Sequence, residues 1–247
     1  MRLLLLPVHA RGQVMEFSST LQQLSKVQKP AQGVSVYARF VNRPAGRLLA
    51  AAAYRIGLSP NHVTAVSALI TFAAVFSIAL RPPSHLLGQW VSLALLLGFA
   101  LDSADGQLAR LHRSSSLRGE WLDHVVDCAK ILGIHAAVLI SFYRFFDLTQ
   151  PALLLPVIFQ FAAVLLFFGG ILTEQLRRRR VRPPTGPVPP PSGVRGMALL
   201  PVDYGLFCLS FLFLGSQKLF LALYVALLVG HVVLLPAFFA KWLRELS

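Results

Sequence analysis

The chain alternates long apolar runs with short polar or basic stretches. Six apolar segments stand out, at about 62–80, 86–101, 122–142, 152–173, 198–214 and 218–238. A bilayer core takes a helix of ~20 apolar residues, so most of these are long enough to cross one. The second and fifth are short, which puts their polar ends near the interface. Over 36–54 the pattern differs: Arg43, Arg47 and Arg55 recur at helical spacing while Val41, Ala45, Leu48, Leu49 and Ala52 fill the opposite side. That pattern suits an amphipathic helix on an anionic membrane surface. A basic soluble helix leading into a span is the alternative, because Pro44 and Gly46 weaken the stripe. Earlier still, the leucines at 3–6 are too few for a signal-peptide core of ~7–15 apolar residues. The pattern therefore predicts an all-α fold, with a flexible cytoplasmic arm over 1–35 and an amphipathic juxtamembrane helix over 36–58. A polytopic membrane bundle of six transmembrane helices follows over 59–247. Ser59 and Pro60 suit the N-cap and first position of the first span.

Composition agrees with this reading. At 55% hydrophobic and 13% charged, with mean hydropathy +0.64, the chain is too apolar for a soluble domain. A net charge of +13 would suit nucleic acid if the basic residues shared one face, but here they punctuate apolar runs, and nucleic acid is not expected as a partner. Six spans put both termini on one side. That side carries eight Lys/Arg before the first span, Arg110, Arg113 and Arg118 in the second turn, six in the 174–197 loop, and Lys241 with Arg244. The opposite loops hold Arg81, Arg144 and Lys218. The positive-inside rule then predicts a multi-pass protein of the cell membrane with both termini cytoplasmic. Cys128 and Cys208 lie inside apolar runs and suggest no disulfide framework.

The chemistry gathers between the second and third segments. Asp102, Asp105, Gly106, Ala109 and Arg110 are followed by Gly119, Asp123 and Asp127. Read as two helix segments joined by a short basic turn, the spacing sets each pair of acids one turn apart. Four like charges converging in this way call for a divalent cation, and hard oxygen ligands suit one or two Mg²⁺ or Mn²⁺ ions that also hold phosphates. Gly106, Ala109 and Gly119 leave room for a ligand to approach. The motif falls on the cytoplasmic side by the same charge count.

The run D-x2-D-G-x2-A-R-x8-G-x3-D-x3-D resembles the signature of the CDP-alcohol phosphatidyltransferase family, and all eight of its fixed positions match. The resemblance implies a membrane enzyme that cleaves a CDP-linked alcohol, joins its phosphate to a second alcohol and releases CMP. It implies metal binding by Asp102, Asp105 and Asp123, with Asp127 as general base and as a ligand of a second ion where two are bound. Gly106, Ala109 and Gly119 would admit the cytidine and diphosphate, and Arg110 would meet a phosphate or lock a carboxylate. Asn61 and Thr64 resemble the Pro-Asn-x-x-Thr element that opens the first span in this family, which would point Asn61 into the polar site; helix capping is the plainer reading. A homodimer is also implied by the family.

Expected partners are CDP-diacylglycerol as donor, a small hydroxyl acceptor and membrane lipids. The alternative is a soluble CDP-alcohol with a lipid or sugar acceptor. Acids inside a helical bundle also build cation-coupled transporters, but those usually show internal repeats, and here the acids crowd into one helix-turn-helix. Lys130 either neutralises a motif acid or lines the acceptor pocket. Asp203 is either interfacial or part of that pocket. Arg177, Arg178, Arg179 and Arg180 either set topology or grip an anionic acceptor or lipid head group. His124 would face away from the acids and pack.

Overall fold

The computed structural model describes residues 17–26, 28, 34–112, 116–179 and 193–247. Arg113, Arg180, Arg182, the proline-rich stretch after them and much of the N-terminal arm lie outside these residues. Among the described residues every regular element is helical. Within the stretch read as an arm, α1 (Phe17–Lys26) forms and buries Leu24 against Ala50, Ala51, Ala104 and Leu108.

Helical backbone resumes at Val36 and continues to Arg55, through a π-helical turn (Ala38–Asn42) into α2 (Arg43–Arg55). The wide turn sits just ahead of Pro44, whose ring and missing N–H disrupt the regular ladder; the Arg43 N–H reaches back to the Ala38 carbonyl instead. Its apolar side touches protein only in part, through Leu49. Gly46, Ala50, Ala51 and Ala53 are buried, whereas Val41, Leu48 and Ala52 are exposed. Gly57, at φ 72°, ends α2: its N–H reaches the Tyr54 carbonyl and that of Leu58 reaches Ala53, a Schellman closure that needs the left-handed backbone.

Three long helices then start on serine caps. Ser59 accepts from the His62 N–H at the head of α3 (Pro60–Leu80), Ser84 from Leu87 at α4 (His85–Leu111), and Ser116 from Gly119 at α5 (Leu117–Phe145). The motif thus lies in the last turns of α4 and the first of α5, at one end of the bundle. A 3₁₀ turn (Gln150–Leu153) leads into α6 (Leu154–Arg178).

The expected fifth span is the one that departs from a regular helix. Residues 198–214 contain the end of α7 (Gly193–Ala198), a 3₁₀ turn (Leu200–Val202), α8 (Tyr204–Ser210) and a second 3₁₀ turn (Phe211–Phe213). Pro201 removes a donor, and Asp203 takes up extended backbone to cap α8, accepting from the Gly205 N–H at 2.7 Å. The apolar helical part, Tyr204–Phe213, is shorter than a span, so the described residues hold five helices long and apolar enough to cross a membrane where six were expected. Even so, Gly196 lies against Val36 beside α2 and Gly215 against Ser84 and His85 at the head of α4, so the segment passes from the motif end to the far end. The last helix, α9 (Gln217–Leu246), returns.

The far half of the bundle is filled by Ile78, Leu95, Ile134, Phe142, Phe159, Phe211, Phe220 and Tyr224. His135 is buried there, its Nδ1 2.7 Å from the Tyr224 hydroxyl, so both polar groups are satisfied. Helices of membrane bundles approach most closely over small residues. Gly98 of α4 meets Thr71 of α3, and Gly46 of α2 meets Ser103 of α4.

This contact is testable. A Cβ at Gly98 would overlap the Thr71 hydroxyl, whereas one at Gly133 would meet nothing nearer than Phe72 at 3.4 Å. Gly98→Ala is expected to lower the thermal midpoint in detergent, through about 1–3 kcal/mol of overpacking. Gly133→Ala should be neutral or slightly stabilising, because alanine is the better helix former by about 1 kcal/mol.

Candidate active site

Asp102 and Asp105 sit one turn apart on α4, and Asp123 and Asp127 one turn apart on α5. Asp102, Asp123 and Asp127 converge, each placing a carboxylate oxygen within 4.8 Å of the others'. The cluster is open: the Asp102 and Asp127 side chains keep 21% and 23% of their surface. Asp105 is placed differently. It is buried, and its Oδ2 accepts a 2.5 Å hydrogen bond from the Thr64 hydroxyl of α3. Three residues along a helix rotate a side chain by about 60° from the first, enough to aim Asp102 at α5 and Asp105 at α3.

Lys130, one turn beyond Asp127, completes the cluster. Its ammonium donates to Asp102 at 2.6 Å, to Asp127 at 3.0 Å and to the Ser67 hydroxyl at 3.1 Å. Of the two sequence readings for Lys130, neutralisation of the motif acids is the one seen. Ser67 in turn donates to the Gly98 carbonyl at 2.8 Å, which leaves its oxygen lone pairs for Lys130. Sequence reasoning missed Ser67. The signal was present in the spacing, because Thr64, Ser67 and Thr71 form a buried polar stripe along an otherwise apolar span.

The small residues flank the acids. A Cβ on Gly106 would lie 3.5 Å from Arg110 Nη1, so the guanidinium is folded back over that glycine. At Gly119 a Cβ would come within 3.3 Å of Asn61 Oδ1, which brings Asn61 to the edge of the same site. Ala109 is half-buried on α4 between them. Behind this face, Gln107 donates to Ser103 and to the Arg43 carbonyl, and accepts from Gln28 at 2.7 Å, tying α2 and the segment after α1 to the motif helix.

Other candidates fall outside the cluster. Asp203 caps α8. Arg178 pairs with Glu120 at 2.7 Å and with Glu174 at 3.2 Å, and Arg177 with Glu245 at 3.2 Å, so these two arginines link the motif ends of α6, α5 and α9. Neither sequence reading of the basic run anticipated those partners. His124 Nδ1 lies 4.0 Å from Asp123 Oδ2, beyond hydrogen-bond reach.

Three carboxylates at one point offer the hard oxygen donors that a small divalent cation takes, and their partial exposure leaves an approach for it. A family model described as CDP-alcohol phosphatidyltransferase matches residues 57–235, which includes α3, the motif, α8 and most of α9. A search of curated proteins returns no match. The match begins at the Gly57 turn and covers well over half of the chain, and the helices it covers are those that bring the aspartates together: the chain belongs to the CDP-alcohol phosphatidyltransferase family.

Proposed function

We propose that the protein transfers a phosphatidyl group from CDP-diacylglycerol to the hydroxyl of a small polar acceptor and releases CMP, at a site formed by Asp102, Asp105, Asp123 and Asp127. Family membership supports phosphatidyl transfer from a CDP-alcohol. The choice of a lipid donor rests on one observation: the α5 surface beside the acids is apolar and exposed, with Trp121 at 66% and Val125 at 43%. Acyl chains lying against those residues would keep the diphosphate level with Asp123 and Asp127. The excess of Lys and Arg at this end of the bundle supports a cytoplasmic site in the cell membrane.

In this reading Asp102, Asp123 and Asp127 would hold Mg²⁺ or Mn²⁺, one or two ions. Asp105 would support them from its bond with Thr64. A bound ion would supply positive charge to the diphosphate and to the departing CMP. The chain's own residues do the rest. Asp127 takes the proton from the acceptor hydroxyl as that oxygen bonds to the lipid-bearing phosphorus. The bond between this phosphorus and the oxygen bridging to cytidine monophosphate breaks, and CMP leaves with the bonding pair. Gly106, Ala109 and Gly119 leave the opening that nucleotide and diphosphate need, with Asn61 at its edge. Arg110, over Gly106, is placed to meet a phosphate oxygen.

Purified protein in detergent with Mg²⁺ and CDP-diacylglycerol is expected to release CMP with one member of a panel of glycerol 3-phosphate, inositol phosphate, inositol and serine. It should release none without acceptor. Chelation should abolish release, and Mg²⁺ or Mn²⁺ should restore it. Binding of the lipid donor without release would exclude the acceptor panel alone; release only from a soluble CDP-alcohol would overturn the lipid donor.

The division of labour among the acids has its own test. Asp127→Asn is expected to lower turnover by at least ~10²-fold, the lower end of general-base contributions, while donor binding survives. Asp102→Asn should weaken both donor and metal binding. Turnover at the wild-type level in Asp127→Asn would remove it as the base.

A further inference from the structure

The helix that carries Asp102 and Asp105 is held from its other side by an amide. Gln107 lies about 140° around α4 from Asp102 and about 160° from Asp105. It is 1% exposed. Both N–H groups of its amide are used, on the Ser103 hydroxyl at 3.1 Å and the Arg43 carbonyl at 3.2 Å, and its oxygen accepts from Gln28 at 2.7 Å. The Arg43 carbonyl can only accept, so this amide cannot turn over without losing that bond. Gln28 is committed in the same way, because its nitrogen also donates to the Leu24 carbonyl of α1 at 2.8 Å. Gly46 completes the seat: a Cβ there would stand 2.6 Å from the Ser103 hydroxyl and 3.0 Å from the Gln107 nitrogen. Two amides thus tie the end of α1 and the start of α2 to the motif helix.

The turns they hold are the weak end of α4. Gly106 lies inside them and is a poor helix former, and the last carbonyls of a helix lack partners within it. Asp105 and Arg110 both belong to these turns. The family match begins at residue 57, so α1, Gln28 and α2 lie outside it and it assigns them no part in the site. From these contacts we propose that Gln107 and Gln28 are positioning residues: through them α1 and α2 clamp the last two turns of α4 and hold Asp105 and Arg110 in register with the acids of α5 for the transfer. The part played in transfer rests on the function proposed above, whereas the clamp itself does not.

The test uses the full-length protein in detergent. Gln28→Glu keeps the size of the side chain and removes its donor, whereas Gln28→Lys keeps a donor. Hydrogen–deuterium exchange over residues 105–111 is expected to quicken roughly fivefold in Gln28→Glu, the factor that one net hydrogen bond is worth, with little change in Gln28→Lys. In the CMP-release assay kcat should fall by a similar factor in Gln28→Glu with KM unchanged, and return in Gln28→Lys. The assay is run well below the unfolding midpoint, where a merely structural loss leaves turnover per folded molecule unaltered. Gln107→Leu should fall further, within the ~10²-fold that a misplacement of about 1 Å can cost, and adding Gln28→Glu to it should cost nothing more. Unchanged exchange in Gln28→Glu overturns the clamp. Quickened exchange with unchanged kcat, or full additivity in the double variant, overturns the positioning role and leaves a packing contact. If the wild type releases no CMP, the transfer reading fails, and exchange alone judges the clamp.

Discussion

Carboxylates gathered at the end of an apolar bundle repel one another, and the motif end of this protein is built around that repulsion. Two unit charges 4 Å apart interact by ~4 kcal/mol at the effective dielectric of a partly buried site. Several such pairs would rival the ~5–15 kcal/mol that normally separates folded from unfolded protein. Lys130 relieves two of the three clustered acids at once, through its contacts with Asp102 and Asp127. The structure thus keeps a concentrated negative site without a net cost that would unfold it, and leaves Asp123 as the member of the cluster that Lys130 does not bridge.

The relief depends on α3, which carries no charged residue in its apolar length. Thr64 and Ser67 lie one turn apart on it, and they bind Asp105 and Lys130 respectively. The first contact requires α3 to lie close against α4 and the second close against α5, and Gly98 permits the approach to α4 by having no side chain where Thr71 sits. A glycine one turn before Asp102 on the same helix thereby sets the distance at which the acids are supported. The same logic applies at Gly46, whose closeness to Ser103 brings the Arg43 carbonyl within reach of Gln107.

The sequence carried the local part of this arrangement well. Spacing of three and four residues put the acids on helix faces, Ser59 and Pro60 announced the start of the first span, and the run of apolar segments announced the bundle. What it could not carry was the identity of the neighbour that each face meets. Asp102 and Asp105 look equivalent in the motif, yet one turns to Lys130 and the other to Thr64, because the answer depends on where α3 and α5 pack. The pairing of Arg178 with Glu120 is hidden for the same reason, with nearly sixty positions between them along the chain. The broken passage at 198–214 is a different kind of miss. Average hydropathy counts Pro201 and Asp203 as minor interruptions, whereas the backbone treats the first as a lost donor and the second as a cap.

The two sides of the bundle differ in how firmly they are held, and the difference matches what the proposed chemistry would ask of each. The spans α3, α4 and α5 bury much more of their length than α6 and α9 do. The ties that α6 makes at the motif end are ion pairs of half-exposed arginines, such as Arg178 with Glu120, which are worth about 0–1 kcal/mol each at an open surface. Reactive groups must be held to within about half an ångström, which favours packed, doubly hydrogen-bonded helices. A diacyl lipid needs an apolar side that can accommodate chains of varied shape, which favours a loosely buried one. The acids stand on the packed helices, with exposed Trp121 and Val125 on α5 leading from them toward lipid. One firm face and one accommodating face near the same carboxylates is the arrangement that the proposed transfer, from a membrane-bound donor to a polar acceptor, would require.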